Sequence, residues 1–96
     1  MKFRLIIRPQ ADIEILEAAD YYEDEKAGLG SEFLDELEEA MNGLAQHPQF
    51  YFNTIPEKAQ RRFLLIRFPY LIVYETRDEE VIVLSVRHVK QKPFKG

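Results

Sequence analysis

The sequence predicts one α+β domain spanning residues 1–96, ordered β-α-α-β-β-β, with a largely antiparallel sheet and a helical hairpin packed on one face. Three observations carry this. Residues 61–88 form three runs rich in apolar, β-branched and aromatic side chains, separated by Pro69 and by the charged bend Arg77-Asp78-Glu79. Residues 10–47 carry two apolar stripes at spacings of three and four, broken at Gly28-Leu29-Gly30. Residues 2–8 alternate between apolar and basic side chains before Pro9.

The first strand is predicted from Lys2 to Arg8, where Phe3, Leu5 and Ile7 alternate with Lys2, Arg4, Ile6 and Arg8. Pro9 stops it and can open a helix, because the first helical turn needs no amide donor there. The first helix is expected over Gln10–Lys26. Ala11, Ile15, Ala18 or Ala19, and Tyr22 form its stripe, Ile13 and Leu16 widen it, and Asp12, Glu14, Glu17, Asp20 and Glu23 face water. The run Glu23-Asp24-Glu25-Lys26 reads as a solvated helix end and not as a metal site, since consecutive helical carboxylates diverge. Gly28 and Gly30 break the chain, Ser31 is a candidate N-cap, and the second helix follows over Glu32–His47 with Phe33, Leu37, Ala40, Met41 and Leu44 as its stripe. His47 and Pro48 read as its end.

Phe50 to Ile55 fits a short extended edge, and residues 56–60 a surface loop. Arg61 to Phe68 is nearly continuous apolar sequence after its basic start, which suggests a covered, central strand. Pro69 turns the chain into Tyr70–Glu75, and Val81–His88 is the last strand. Tyr70, Ile72 and Tyr74 share one face of their strand and read as core. Residues 90–96 form a basic tail.

With 96 residues, seven Phe, five Tyr and 46% hydrophobic side chains, the chain can build one core. The absence of cysteine removes disulfides and thiolate metal sites and fits a reducing, cytoplasmic location. The segment Met1-Lys-Phe-Arg-Leu-Ile-Ile-Arg8 is too short and too charged for a signal peptide or membrane span. The net charge of −4 is divided unevenly. Residues 1–60 hold five Lys/Arg against thirteen Asp/Glu, and residues 61–96 hold eight against four. Either the basic half meets an anionic partner, or the helices simply use Glu for propensity and solubility.

The residues most open to function are basic and lie at strand ends: Arg61, Arg62, Arg87 and His88, followed by Lys90 and Lys92. For Arg61, Arg87 and His88 a functional role and a solvated strand end remain equal alternatives. Arg67 and Arg77 read as structural, either as solvated strand-end charges or paired with Glu75, Asp78 or Glu80 across the hairpin.

Several stretches together carry a family resemblance. They are Pro9-Gln10-Ala11-Asp12-Ile13, Tyr21-Tyr22, Gly28-Leu29-Gly30 and Phe33–Leu44 ending in His47-Pro48. After these come Arg61-Arg62-Phe63, Phe68-Pro69-Tyr70-Leu71-Ile72-Val73-Tyr74, and Val86-Arg87-His88 with Pro93 beyond. On these residues almost the whole chain resembles the RelE/ParE superfamily of bacterial type II toxins, most of all its ParE-type, plasmid-stabilisation branch. The resemblance implies a cytoplasmic growth-inhibiting toxin with no cofactor and no metal, neutralised by a cognate antitoxin whose flexible segment wraps it, as a homodimer or a heterotetramer with that antitoxin.

Two actions are implied for such toxins: inhibition of DNA gyrase, or ribosome-dependent cleavage of mRNA. A third outcome is a non-toxic module that only binds antitoxin. As a metal-free ribonuclease the chain would draw on Arg61, Arg87 and His88 for phosphate contact and proton transfer. Three features point away from an enzyme. Leu71 stands where the ribonuclease branch often has a basic residue, and Leu64 and Leu65 or their neighbours replace its lysines. Arg87 and His88 are adjacent on a strand and cannot both face one substrate without a bulge. A pI near 5.2 suits a ribosomal nuclease poorly. The gyrase reading needs only a gripping surface, for which Arg61, Arg62, Arg87, His88, Lys90 and Lys92 are the candidates. Antitoxin is expected on hydrophobic helix edges and an exposed strand edge.

Overall fold

The computed structural model describes residues 3–47, 53–55 and 60–90. Its elements are β1 (Arg4–Ile7), α1 (Pro9–Glu25), α2 (Leu29–Gln46), β2 (Asn53–Ile55), β3 (Gln60–Leu64), β4 (Tyr70–Arg77) and β5 (Glu80–His88). They form a five-stranded sheet in the order β1-β5-β4-β3-β2. The chain enters through β1, crosses one face as the α1–α2 hairpin, and returns at the far edge. There β2, β3, β4 and β5 run as an antiparallel meander until β5 lies parallel to β1. The predicted β-α-α-β-β-β order holds, and the short extended edge expected within Phe50–Ile55 is present as β2.

Alternation of side chains gives the sheet two faces. Ile72 and Tyr74 of β4, Val81, Val83 and Val86 of β5, and Ala11, Ile15, Ala18, Phe33, Leu37, Met41 and Leu44 of the helices form the main core. Val73, Ile82 and Leu84, with Ile6 beside them, form a second, smaller cluster on the other face. Tyr22, Phe33, Phe68 and Tyr70 close one end of the main core with ring centroids 4.8–6.0 Å apart.

Pro9 occupies the first turn of α1, as expected. Other local expectations change. Ile13 and Leu16 do not widen the buried stripe; they are 58% and 57% exposed, because α1 turns only its Ala11–Ile15–Ala18–Ala19 side to the sheet. Ser31 is not the cap of α2. Gly28, at φ 87°, is the N-cap, so the helix starts at Leu29 and Ser31 lies inside its first turn. The capping carboxylate is Glu23, which accepts from Gly28 N at 2.9 Å and Gly30 N at 3.0 Å, anionic at the positive helix end. A Cβ on Gly30 would meet Ala19 O at 2.6 Å, so this glycine is what lets the two helices approach.

The predicted strand Arg61–Phe68 ends early, at Leu64. Leu65 and Phe68 turn inward while Ile66 is 93% exposed, which is a bend and not a strand. Glu36 of α2 holds this bend by accepting from both Ile66 N at 3.0 Å and Arg67 N at 3.1 Å. Lys92 and the tail beyond Lys90, the predicted stop at Pro48, Phe50–Phe52 and most of the 56–60 loop lie outside the described residues.

Candidate functional site

Strand register decides which candidate residues share a surface. Arg61 pairs with Tyr74 and His88 with Tyr70, so both belong to the helix-covered face. Arg62 pairs with Val73, and Arg87 with Leu71, so both belong to the opposite face. The sheet has one register shift between β4 and β5, at Val73/Tyr74, where Leu84 is the extra residue. It lies upstream of Arg87 and His88 and leaves those neighbours on opposite sides.

On the helix side, the rows of Arg61 and His88 are four β4 residues apart, about 13 Å along the strand. On the face away from the helices, the rows of Arg62 and Arg87 are two residues apart and two strands across, placing their Cα atoms about 12 Å apart. Two permanently charged side chains, both half-buried, lie at that separation, with Arg87 Nε shielded from solvent. Between them lie Leu71 and the partly exposed Leu64, so this patch combines cations with apolar area.

Two contacts help to hold His88. Its ring stands edge-on to Tyr70 with centroids 5.4 Å apart, and its Nδ1 accepts from Lys90 N at 3.0 Å. In the neutral ring the proton therefore sits on Nε2, by inference from that hydrogen bond. Tyr70 is half-buried, and burial pushes its phenol above the ordinary value, with Tyr21 adding to the effect.

The two arginines expected to be structural are paired. Arg67 binds Glu32 at 2.8 Å and lies 5.2 Å from the Phe68 ring centroid, so its partner comes from α2 and not from the β4–β5 hairpin. Arg77 binds Glu75 at 3.4 Å. Glu80 pairs instead with Arg4 across the parallel β1–β5 junction.

Two concave surfaces had no signal in the sequence. One is an apolar groove of about 400 Å³ between α2 and the 65–67 bend, with Ala40, Gly43, Phe63 and Ile66 in its walls and Glu36 and Glu39 at its rim. The other is a cleft of about 290 Å³ between α1 and the ends of β4 and β5, bounded by Glu14, Glu17, Tyr21, Tyr70 and His88. Among the described residues no group of three or more His, Cys, Asp or Glu could hold a metal, and no helix is long and apolar enough to cross a membrane.

A five-stranded sheet with a helical hairpin on one face and a split basic surface places the chain among small α+β proteins with known relatives. It superposes on a solved structure described as the chromosomal ParDE TA system from P. aeruginosa, with a TM-score of 0.79 and 15% sequence identity, covering 91% of this chain and 96% of that one. The sequence model of the ParE toxin of the type II toxin–antitoxin system parDE matches residues 5–93. The chain belongs to this ParE toxin family. None of the curated proteins matches it in sequence.

Proposed function

We propose that this chain is the toxin of a type II module, held inactive in the cytoplasm by a cognate antitoxin, and that it arrests growth by inhibiting DNA gyrase. The observation that carries the reading is the ParE toxin model matching residues 5–93. The split surface supports gripping over cutting. A phosphate held by Arg62 and Arg87 on the face away from the helices has no imidazole beside it, because His88 belongs to the other face. Arg62 and Arg87 form the proposed target-binding patch, followed in sequence by Lys90 and by Lys92, which lies outside the described residues, with Arg61 and His88 as flanking positions.

Antitoxin docking is proposed at the apolar groove beside α2. Ile66, 93% exposed, and the small residues Ala40 and Gly43 leave room for an added apolar segment. Glu36, Glu39 and Arg67 also line the groove, so a flank of mixed charge on that segment fits it.

The test is induced expression in bacteria with and without the antitoxin. Arrest by the chain alone, relieved by co-expression, supports the reading. Normal growth with confirmed folded protein contradicts it and favours a non-toxic antitoxin-binding module.

A further inference from the structure

Apart from His88, a flanking position of the proposed target patch, the cleft between α1 and the ends of β4 and β5 is used by none of the roles above, and its chemistry is specific. Ala18 and Val86 floor it, and Glu14, Glu17, Tyr21, Tyr70 and His88 wall it. It carries two carboxylates and no Lys or Arg among those lining residues. Glu14 is fixed from one side, since its Oε1 accepts from Ser85 Oγ and Val86 N, which leaves Oε2 for a ligand. Tyr70 is held in place by Tyr22, Phe33 and His88, at centroid distances of 6.0, 5.2 and 5.4 Å. Tyr21 stands edge-on to Tyr22 at 5.3 Å and is 58% exposed, a large apolar ring turned outward. Burial keeps the Tyr70 phenol neutral past its ordinary range, so it adds a hydrogen-bonding group without adding charge.

Anionic oxygens beside aromatic rings select a cation. A hard metal ion is disfavoured, because Glu14 has one oxygen already engaged and no metal-holding group is present among the described residues. A guanidinium fits better than an ammonium. It is planar, weakly hydrated, stacks on aromatic faces and offers several donors to carboxylates. We propose that this cleft receives the side chain of an arginine from a bound protein partner. The partner's identity as antitoxin rests on the proposed function, but recognition of the guanidinium does not.

The test uses the full chain alone and N-acetyl-arginine amide as probe, followed by two-dimensional amide NMR. Saturable shifts are expected at Tyr21, Tyr70, Val86 and His88, with affinity in the millimolar range appropriate to a single side chain. The uncharged N-acetyl-citrulline amide should leave these signals in place, and N-acetyl-lysine amide should bind more weakly. Glu17→Gln and Tyr21→Ala, both at exposed positions, should each weaken arginine binding about threefold, while Tyr21→Phe retains it. No shift at the cleft, an equal response to citrulline, or lysine binding as tightly as arginine overturns the proposal. Growth arrest is read in a separate assay, so failure of the toxin reading is distinguishable from failure here.

Discussion

Glu14 Oε1 accepts from Ser85 Oγ at 2.7 Å and from Val86 N at 3.0 Å, so a helix carboxylate finishes the edge of a β-strand. The cause is the length of β1. It pairs with β5 only as far as Ile7 opposite Val83, and Arg8 N still reaches Val83 O at 3.0 Å. Beyond that point the chain turns into α1 at Pro9, and the Val86 amide would lose its partner just where Ser85 is fully buried. Replacing Glu14 by Ala strands both donors and should cost about 1–3 kcal/mol. Ser85→Ala should cost less, and the pair should couple in a double-mutant cycle by urea unfolding. A loss within experimental error for Glu14→Ala would mean that water serves the edge equally well.

Glu36 and Glu32 both meet the 65–67 bend, but they are predicted to matter differently. Glu36 satisfies two backbone amides, whereas Glu32 makes an exposed ion pair with Arg67. Glu36→Ala should destabilise by about 1–2 kcal/mol and raise amide exchange at Ile66 and Arg67. Glu32→Ala should cost under about 1 kcal/mol and lose that effect at high salt. Equal costs would contradict this division.

The glycines separate cleanly by what a side chain would meet. Gly30→Ala drives Cβ into Ala19 O and should destabilise by about 1–3 kcal/mol, as overpacking does. Gly43→Ala, in the interior of α2 with nothing within 4 Å, should stabilise by about 0.5–1 kcal/mol in thermal unfolding. The same change should weaken antitoxin binding if the partner uses the groove beside it.

Alkaline pH should unfold the chain through its tyrosine cluster. Burial, then neighbouring phenols, raises Tyr22 and Tyr70 above the ordinary value of 10.0. The unfolded phenols therefore ionise first, so this stability is intact below pH 10.0 and falls as pH rises from there through the raised folded values. Subtracting the pH profile of the Tyr22→Phe/Tyr70→Phe variant from that of the parent should isolate the drop. Parallel profiles would contradict the assignment.

The periodicities were enough for the two helices, the Tyr70 and Val81 strands and the break at Gly28, although Leu29 and Gly30 already belong to α2. Where reading failed, tertiary contacts were the reason. Leu65 and Phe68 continue an apolar run but bend inward because Glu36, about thirty residues upstream, captures the amides between them. Ile13 and Leu16 fit a helical stripe yet lie on the side of α1 that nothing described covers. Glu23 replaced Ser31 as the cap because the hairpin brings its carboxylate back over Gly28. At the candidate site, alternation alone separated Arg87 from His88. Pairing Arg62 with Arg87 needed the register of three strands, and the cleft around Glu14 needed the end of β1.

Supercoiling of relaxed plasmid by purified DNA gyrase tests the central claim most directly. The folded chain should inhibit the reaction, and Arg62→Ala and Arg87→Ala should each weaken inhibition at least severalfold while Arg77→Ala does not. Undiminished supercoiling in the presence of folded chain, with ribosome-bound mRNA cleaved in a parallel translation reaction, would contradict it.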